Sequence, residues 1–279
     1  MNVMQLMQLV LDETYAAIAG REDEKDAKIR RALQGLRDKY GSLLLEGPPI
    51  DYTSPETRFA YLHSYIASHA HLVADRLEAS PSLRELFEQP QVQVACIGGG
   101  PGTELLGLLK YCIEKQKSLK LRCLLFDKTQ EWSESWEDVD KKLGTDISLY
   151  TTYQTIDVTD PKTWQFRQKY LQQTDLFTLV YFMSEVYRFA GQASPYFVHL
   201  FQGARPGALF LYIDNNRPEF TDWFERLATE NGLEIISSGD RPKECLPADE
   251  EKRDLGVYFS KFGSPKITAN IAFRIARKQ

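Results

Sequence analysis

The chain is poor in the residues that build metal and disulfide sites, with four cysteines and four histidines in 279 residues. Cys96, Cys112, Cys123 and Cys245 show no CxxC spacing. His63, His69, His71 and His199 show no pattern with acids or cysteines such as HExxH. Both absences argue against a zinc ribbon or a zinc protease, so no metal is expected. Buried thiols in a reducing compartment fit this cysteine usage. No apolar run approaches the ~20 residues that span a bilayer, so no membrane partner is expected. The N-terminus, MNVMQLMQLVLDETY, lacks a basic n-region and a small-residue cleavage site, and a cytoplasmic location is expected. Positive charge is not in excess either. A net charge of −5 argues against a free-standing nucleic-acid binder, although two basic clusters, Lys115–Arg122 and Arg274–Lys278, are present.

What is present is an ordinary soluble composition, 43% hydrophobic and 26% charged, arranged in two parts. Residues 1–90 read as helices over 3–19, 24–43 and 54–78, with a short helix opening at Ser80-Pro81. The charged run EDEKDAKIRR belongs on a solvated face. EGPPIDY breaks the pattern. Ser54 is placed as an N-cap, Pro55 as the first helical residue, and Glu56 in the first turn, where the helix dipole favours an acid. Phe59, Leu62, Ile66, His69 and Val73 then form one mostly apolar stripe, with Tyr61, Tyr65 and Ser68 beside it. From residue 91 to 279 strands and helices alternate. VQVACI, LRCLLFD, ISLYTTYQTID, LFTLVYFMS and ALFLYIDN are read as strands, with helices over 103–116, 129–143, 161–171, 192–203 and 218–231. A strand LEIISS, a polar loop over 239–256 and a final strand ITANIAFRIAR follow. The expected fold is α/β: a doubly wound, mostly parallel sheet behind an N-terminal helical cap.

The turn CIGGGPGTE lies between the first of these strands and a helix, where backbone N–H groups can approach a ligand. The dinucleotide fingerprint GxGxxG does not fit, because its third glycine falls on Thr103 or Leu105. The triphosphate loop GxxxxGK[ST] lacks its lysine. Glu104 in the first helical turn would repel a pyrophosphate and suit a ligand carrying positive charge.

VACIGGGPGTE resembles the first motif of class I S-adenosylmethionine-dependent methyltransferases, and the resemblance covers residues 90–279. It implies a seven-stranded sheet whose last strand is antiparallel, with S-adenosylmethionine as cofactor. Gly98, Gly100 and Gly102 match the motif glycines. Asp127, ending LRCLLFD, matches the acid that holds the ribose hydroxyls. Asp157 in YQTIDVTD matches the acid near the adenine amino group, with Ile156 and Val158 as adenine walls. Pro206-Gly207 precedes the strand that matches the fifth. Many members carry an acid where this chain has Cys96, so contact with the methionine part is assigned to Glu104. Trp132 and Trp136 are expected to pack on the sheet or at the adenine edge.

Polar residues close the fourth and fifth strands, on the side where open α/β sheets bind ligands. Glu185 is the first candidate for orienting the acceptor, Asp214 the second, with Ser184, Tyr187 and Asn215 as further substrate contacts. Tyr61 and Tyr65 are placed as a roof, and the helix over 54–78 is expected to cover the pocket. An enclosed small-molecule acceptor is favoured. RNA or protein methylation, and a non-catalytic binding protein on the same fold, are the alternatives. The oligomeric state is left open.

Overall fold

The computed structural model describes residues 1–44 and 50–279, and of residues 241–244 the backbone only. Part of the EGPPIDY break therefore lies outside the described residues. The first part of the chain forms α1 (Val3–Ala17), α2 (Glu22–Gly41), α3 (Pro55–Ser64), α4 (Ile66–Ala79) and α5 (Pro81–Leu86). The remainder supplies β1 (Gln91–Ile97), α6 (Thr103–Glu114), β2 (Lys120–Asp127), α7 (Trp132–Lys142) and β3 (Ser148–Thr155). After these come α8 (Gln168–Gln173), β4 (Leu176–Val180), α9 (Phe182–Val186), α10 (Ala190–Gly203) and β5 (Leu209–Asn215). The chain ends with α11 (Pro218–Glu230), β6 (Leu233–Glu244), α12 (Val257–Phe262) and β7 (Thr268–Lys278).

The strands make one sheet in the order β3-β2-β1-β4-β5-β7-β6. The first five pair in parallel, and β7 runs antiparallel to both β5 and β6. The order reverses between β1 and β4, so a crevice opens there at the carboxyl ends of the strands. Strand residues alternate between two cores, as the pleat requires. Val92, Val94 and Cys96 of β1 face a core shared with α1, α3, α4 and α6, while Ala95 and Ile97 face one shared with α10 and α11. The N-terminal helices thus bury their apolar stripes in the same core as the sheet.

The helix expected over 54–78 is two helices, broken at Tyr65 (φ −125°, ψ −33°). Ser54 caps the first of them, accepting from Thr57 N–H, and Ser80 caps α5 in the same way. Three other expectations are corrected. The strand LFTLVYFMS stops at Val180, because Tyr181 takes a left-handed conformation (φ +55°) and the chain turns into α9. The helix over 161–171 is replaced by a 3₁₀ turn, Pro161–Thr163, and the short α8, with Trp164 buried between them against Tyr196. The polar loop begins later than 239, because β7 pairs with β6 as far as Glu244.

Helix α4 packs directly on α6. At Gly107 an added Cβ would lie 2.4 Å from the carbonyl oxygen of Ala70, so only glycine permits this approach. Gly107→Ala is expected to destabilise the protein by about 1–2 kcal/mol, because the backbone clash outweighs the helix propensity gained. A lower urea midpoint at unchanged m-value would record it, and an unchanged or higher midpoint would contradict the packing. On the same helix Lys110 is buried, with its ammonium at 2.8 Å from Asp249, 3.0 Å from Glu250 and 3.1 Å from Glu114. Glu250 in turn accepts from Val3 and Met4 N–H at the start of α1.

Candidate functional site

The crevice between β1 and β4 is a cavity of about 640 Å³. Its floor is the glycine turn. Gly98 and Gly99 N–H both donate to the Phe126 carbonyl, and Gly100 N–H donates to Asp127 Oδ2 at 3.0 Å. Gly98 has φ +70°, and a Cβ there would sit 2.1 Å from the Phe182 ring, so no side chain fits between the turn and α9. Gly102 (φ +84°) lies behind the wall, with Trp136 where its Cβ would be.

Asp127 ends β2 on the cavity wall. Its Oδ1 accepts from Thr129 N–H at 2.9 Å. Burial pushes its carboxyl up to about 6 against the lowering effect of these N–H donors. Ile156, Asp157 and Val158 follow β3 along the adjacent wall. Asp157 is held by Lys128 at 2.7 Å and by the hydroxyl and N–H of Thr159. Despite opposing burial, these contacts bring its carboxyl below the usual range.

The opposite side is closed by α2 (Gly35, Asp38 and Lys39), by Tyr52 and by Tyr61 of α3. Arg58 fixes this side, donating to the carbonyls of Tyr52 and Thr53. Glu185 on α9 faces it. Tyr40 Oη donates to Glu185 Oε1 at 2.8 Å, Tyr52 Oη approaches the same oxygen at 3.3 Å, and the two hydroxyls are 2.7 Å apart. Burial pushes Glu185 up to about 7, opposed by the Tyr40 bond and aided by the charge of Asp127. Tyr52, Tyr61 and Trp132 form an aromatic corner with ring centroids 5.1 to 5.7 Å apart.

Of the residues singled out in the sequence, Gly98, Gly100, Asp127, Trp132, Ile156, Asp157, Val158, Tyr61 and Glu185 meet on this cavity. The others stand elsewhere. Glu104 is fully buried behind the wall, its Oε1 without a partner among the described residues and its carboxyl pushed up to about 8 by burial. Tyr65 packs among Tyr40, Tyr61 and His69. Asp214 is fully buried behind α9, where its Oδ2 accepts Ser184 N–H and its Oδ1 accepts Asn215 N–H. It anchors the first turn of α9 to β5 rather than facing an acceptor. Asn215 reaches Ser184 Oγ, and Tyr187 packs on Phe220 and Trp223. The reason is the helix. Reading 181–184 as strand puts neighbours on alternate faces, whereas in α9 successive residues rotate by ~100°. Glu185 is thereby turned to the cavity, and Ser184 and Tyr187 away from it.

Tyr40, Tyr52, Phe182, Arg188, Phe189 and Gln192 also bear on the site without having been picked out in the sequence. Tyr40 follows a charged helical run and carries no local sign of its partner 145 residues away.

No family model and no curated protein matches the chain. Similar solved structures include a SAM-dependent methyltransferase of Methanosarcina mazei, at 13% identity over 71% of this chain and 97% of the other, TM-score 0.46. The CurJ carbon methyltransferase is similar at 13% identity over 90% and 67%, TM-score 0.46. A protein of Pyrococcus horikoshii assigned as an RNA methyltransferase is similar at 14% over 92% and 99%, TM-score 0.43. Likeness at this level leaves the functional reading to the geometry of the site.

Proposed function

We propose that this chain is an S-adenosylmethionine-dependent methyltransferase acting on a small acceptor enclosed between the sheet and α2. The observation that carries the reading is the convergence, in one cavity at the β1/β4 crevice, of the Gly98–Gly100 turn, Asp127, the Ile156–Val158 wall and Glu185. The volume lies within the ~300–1,000 Å³ usual for small-molecule sites. Its chemistry fits a nucleoside that carries positive charge. An acid, Glu104, rather than a lysine follows the glycine turn, and Asp127 and Glu185 bring carboxyl groups to the cavity itself.

In this reading Asp127 holds the ribose diol, since each carboxylate oxygen keeps a lone pair beyond the N–H it accepts. Ile156 and Val158 flank the adenine, and Asp157 meets its amino edge. When bound, the cofactor supplies a methyl group on a sulfonium sulfur. The protein aligns the acceptor with that methyl and excludes water, and Glu185 accepts a hydrogen bond from the acceptor. The helical segment 1–90 acts as the cap, chiefly through α2, Tyr52 and Tyr61.

A small acceptor is favoured over RNA because the net charge is negative and three cations of the basic clusters are paired with acids. Lys115 pairs with Glu78, Lys117 with Glu88, and Arg274 with Glu225 and Asp240. The test is calorimetric titration with S-adenosylmethionine and S-adenosylhomocysteine, with NAD and ATP as controls. Binding of the first two alone supports the reading, and no binding of either removes it. Glu185→Gln is expected to keep cofactor affinity within about twofold and to lower turnover about 100-fold, the scale of a lost general base. Equal loss of cofactor affinity would move Glu185 into the cofactor site.

A further inference from the structure

We propose that Tyr40, Tyr52 and Glu185 form the seat of a protonated amine, which makes the methyl acceptor an amine nitrogen. This rests on the methyltransferase reading above. Both tyrosine hydroxyls converge on Glu185 Oε1. Among the described residues none donates to Oε2, and that oxygen is not sealed from the cavity. An ionised carboxylate only accepts, so its occupant must be a hydrogen donor.

The surrounding charge selects among donors. The strongest charged influences on Glu185 are two further carboxylates, Asp127 and Asp214. Asp38 and Asp157 also line the cavity but are offset by Lys39 beside the one and by Lys128 paired with the other. Of the lining cations, Lys128 is held by Asp157, Arg188 lies over the Phe189 ring at 4.9 Å, and Lys39 stands on the α2 side. An alcohol or phenol would have to develop negative charge beside Glu185 and Asp127, and a carboxylate would bring one with it. An ammonium group is drawn in by the same field. Tyr52, Tyr61 and Trp132 line the same cavity, and aromatic rings attract a cation.

The proton step is simple. The ammonium N–H bond breaks, its electron pair stays on nitrogen, and the proton forms an O–H bond with Glu185 Oε2. The nitrogen is left neutral with a free lone pair. Tyr40 and Tyr52 are positioning residues: by occupying Oε1 they direct the acceptor to Oε2 and favour the ionised carboxylate.

The test uses the full chain saturated with S-adenosylhomocysteine and three probes of one shape: benzylamine, benzyl alcohol and benzoate. At pH 8 the amine is expected to bind about tenfold more tightly than either of the others, a preference that Glu185→Gln abolishes. Amine binding should weaken as the pH falls through 7, where Glu185 takes up its proton. Tyr40→Phe and Tyr52→Phe should each move that acid limb upward by ~1 pH unit, a shift that a purely structural role would not produce. An amine that binds no better than the alcohol, at any affinity including none, overturns the proposal, as does a preference that survives Glu185→Gln. Failure of S-adenosylhomocysteine to bind at the outset would instead overturn the cofactor reading.

Discussion

Asp127→Ala is expected to weaken S-adenosylmethionine binding by about 10- to 150-fold, the equivalent of roughly 1.5–3 kcal/mol for a charge-assisted hydrogen bond. The carboxylate has two tasks. It ties the glycine turn to the end of β2 through Gly100 N–H, and it keeps lone pairs free for a diol. Asp127→Asn separates them. The amide keeps one acceptor oxygen for the turn but loses the charge, so its affinity should fall between wild type and Asp127→Ala. A pH dependence follows with a definite sign. Burial raises this carboxyl to about 6, so wild-type affinity should decline as the pH drops through 6, where protonation removes the acceptor. Asp127→Ala should lose that decline. Titration calorimetry between pH 5 and 8 reads both effects. Unchanged affinity in a folded Asp127→Ala protein would show that the ribose is held elsewhere.

Lys110→Met is expected to destabilise the fold by about 3 kcal/mol, the low end for breaking a buried ion pair. Lys110 is almost fully buried, and so is its partner Glu250, whereas Asp249 and Glu114 are half-exposed. Methionine fills the space but leaves the Glu250 carboxylate without its cation. The loss stays at the low end because Val3 and Met4 N–H still bond to Glu250, at the favourable end of α1. Most of the deficit should return in the double variant Lys110→Met/Glu250→Gln, where no charge is stranded. Urea unfolding at pH 7 measures both. If the single variant is as stable as wild type, the cluster is solvated and does not hold α1 to α6.

The sheet was legible because its central strands are largely apolar runs, punctuated by a glycine turn and by acids at strand ends. Such runs bury on both faces of a parallel sheet almost independently of the rest of the chain. The residues on the cofactor side of the cavity were legible for the same reason. Gly98, Gly100, Asp127 and Ile156–Val158 each lie within a few residues of a strand end, and strand ends converge at the crevice whatever the details of packing.

The acceptor side was not legible in this way. Tyr40 and Tyr52 reach Glu185 only because α2 is laid across the cavity. Arg58 in turn grips the chain at Tyr52 and Thr53, and neither this contact nor the lie of α2 follows from local periodicity. The roles of Glu185 and Asp214 turned on a single backbone conformation. With Tyr181 left-handed, α9 begins at once, and helical rotation sends one acid into the cavity while its neighbour's N–H donates to the other, on β5. Local sequence thus determined which strands and turns build the cofactor wall, because burial and turn chemistry act over a few residues. Which side chains face the acceptor was decided by tertiary structure, because contacts between residues far apart in the chain set the orientation of a helix.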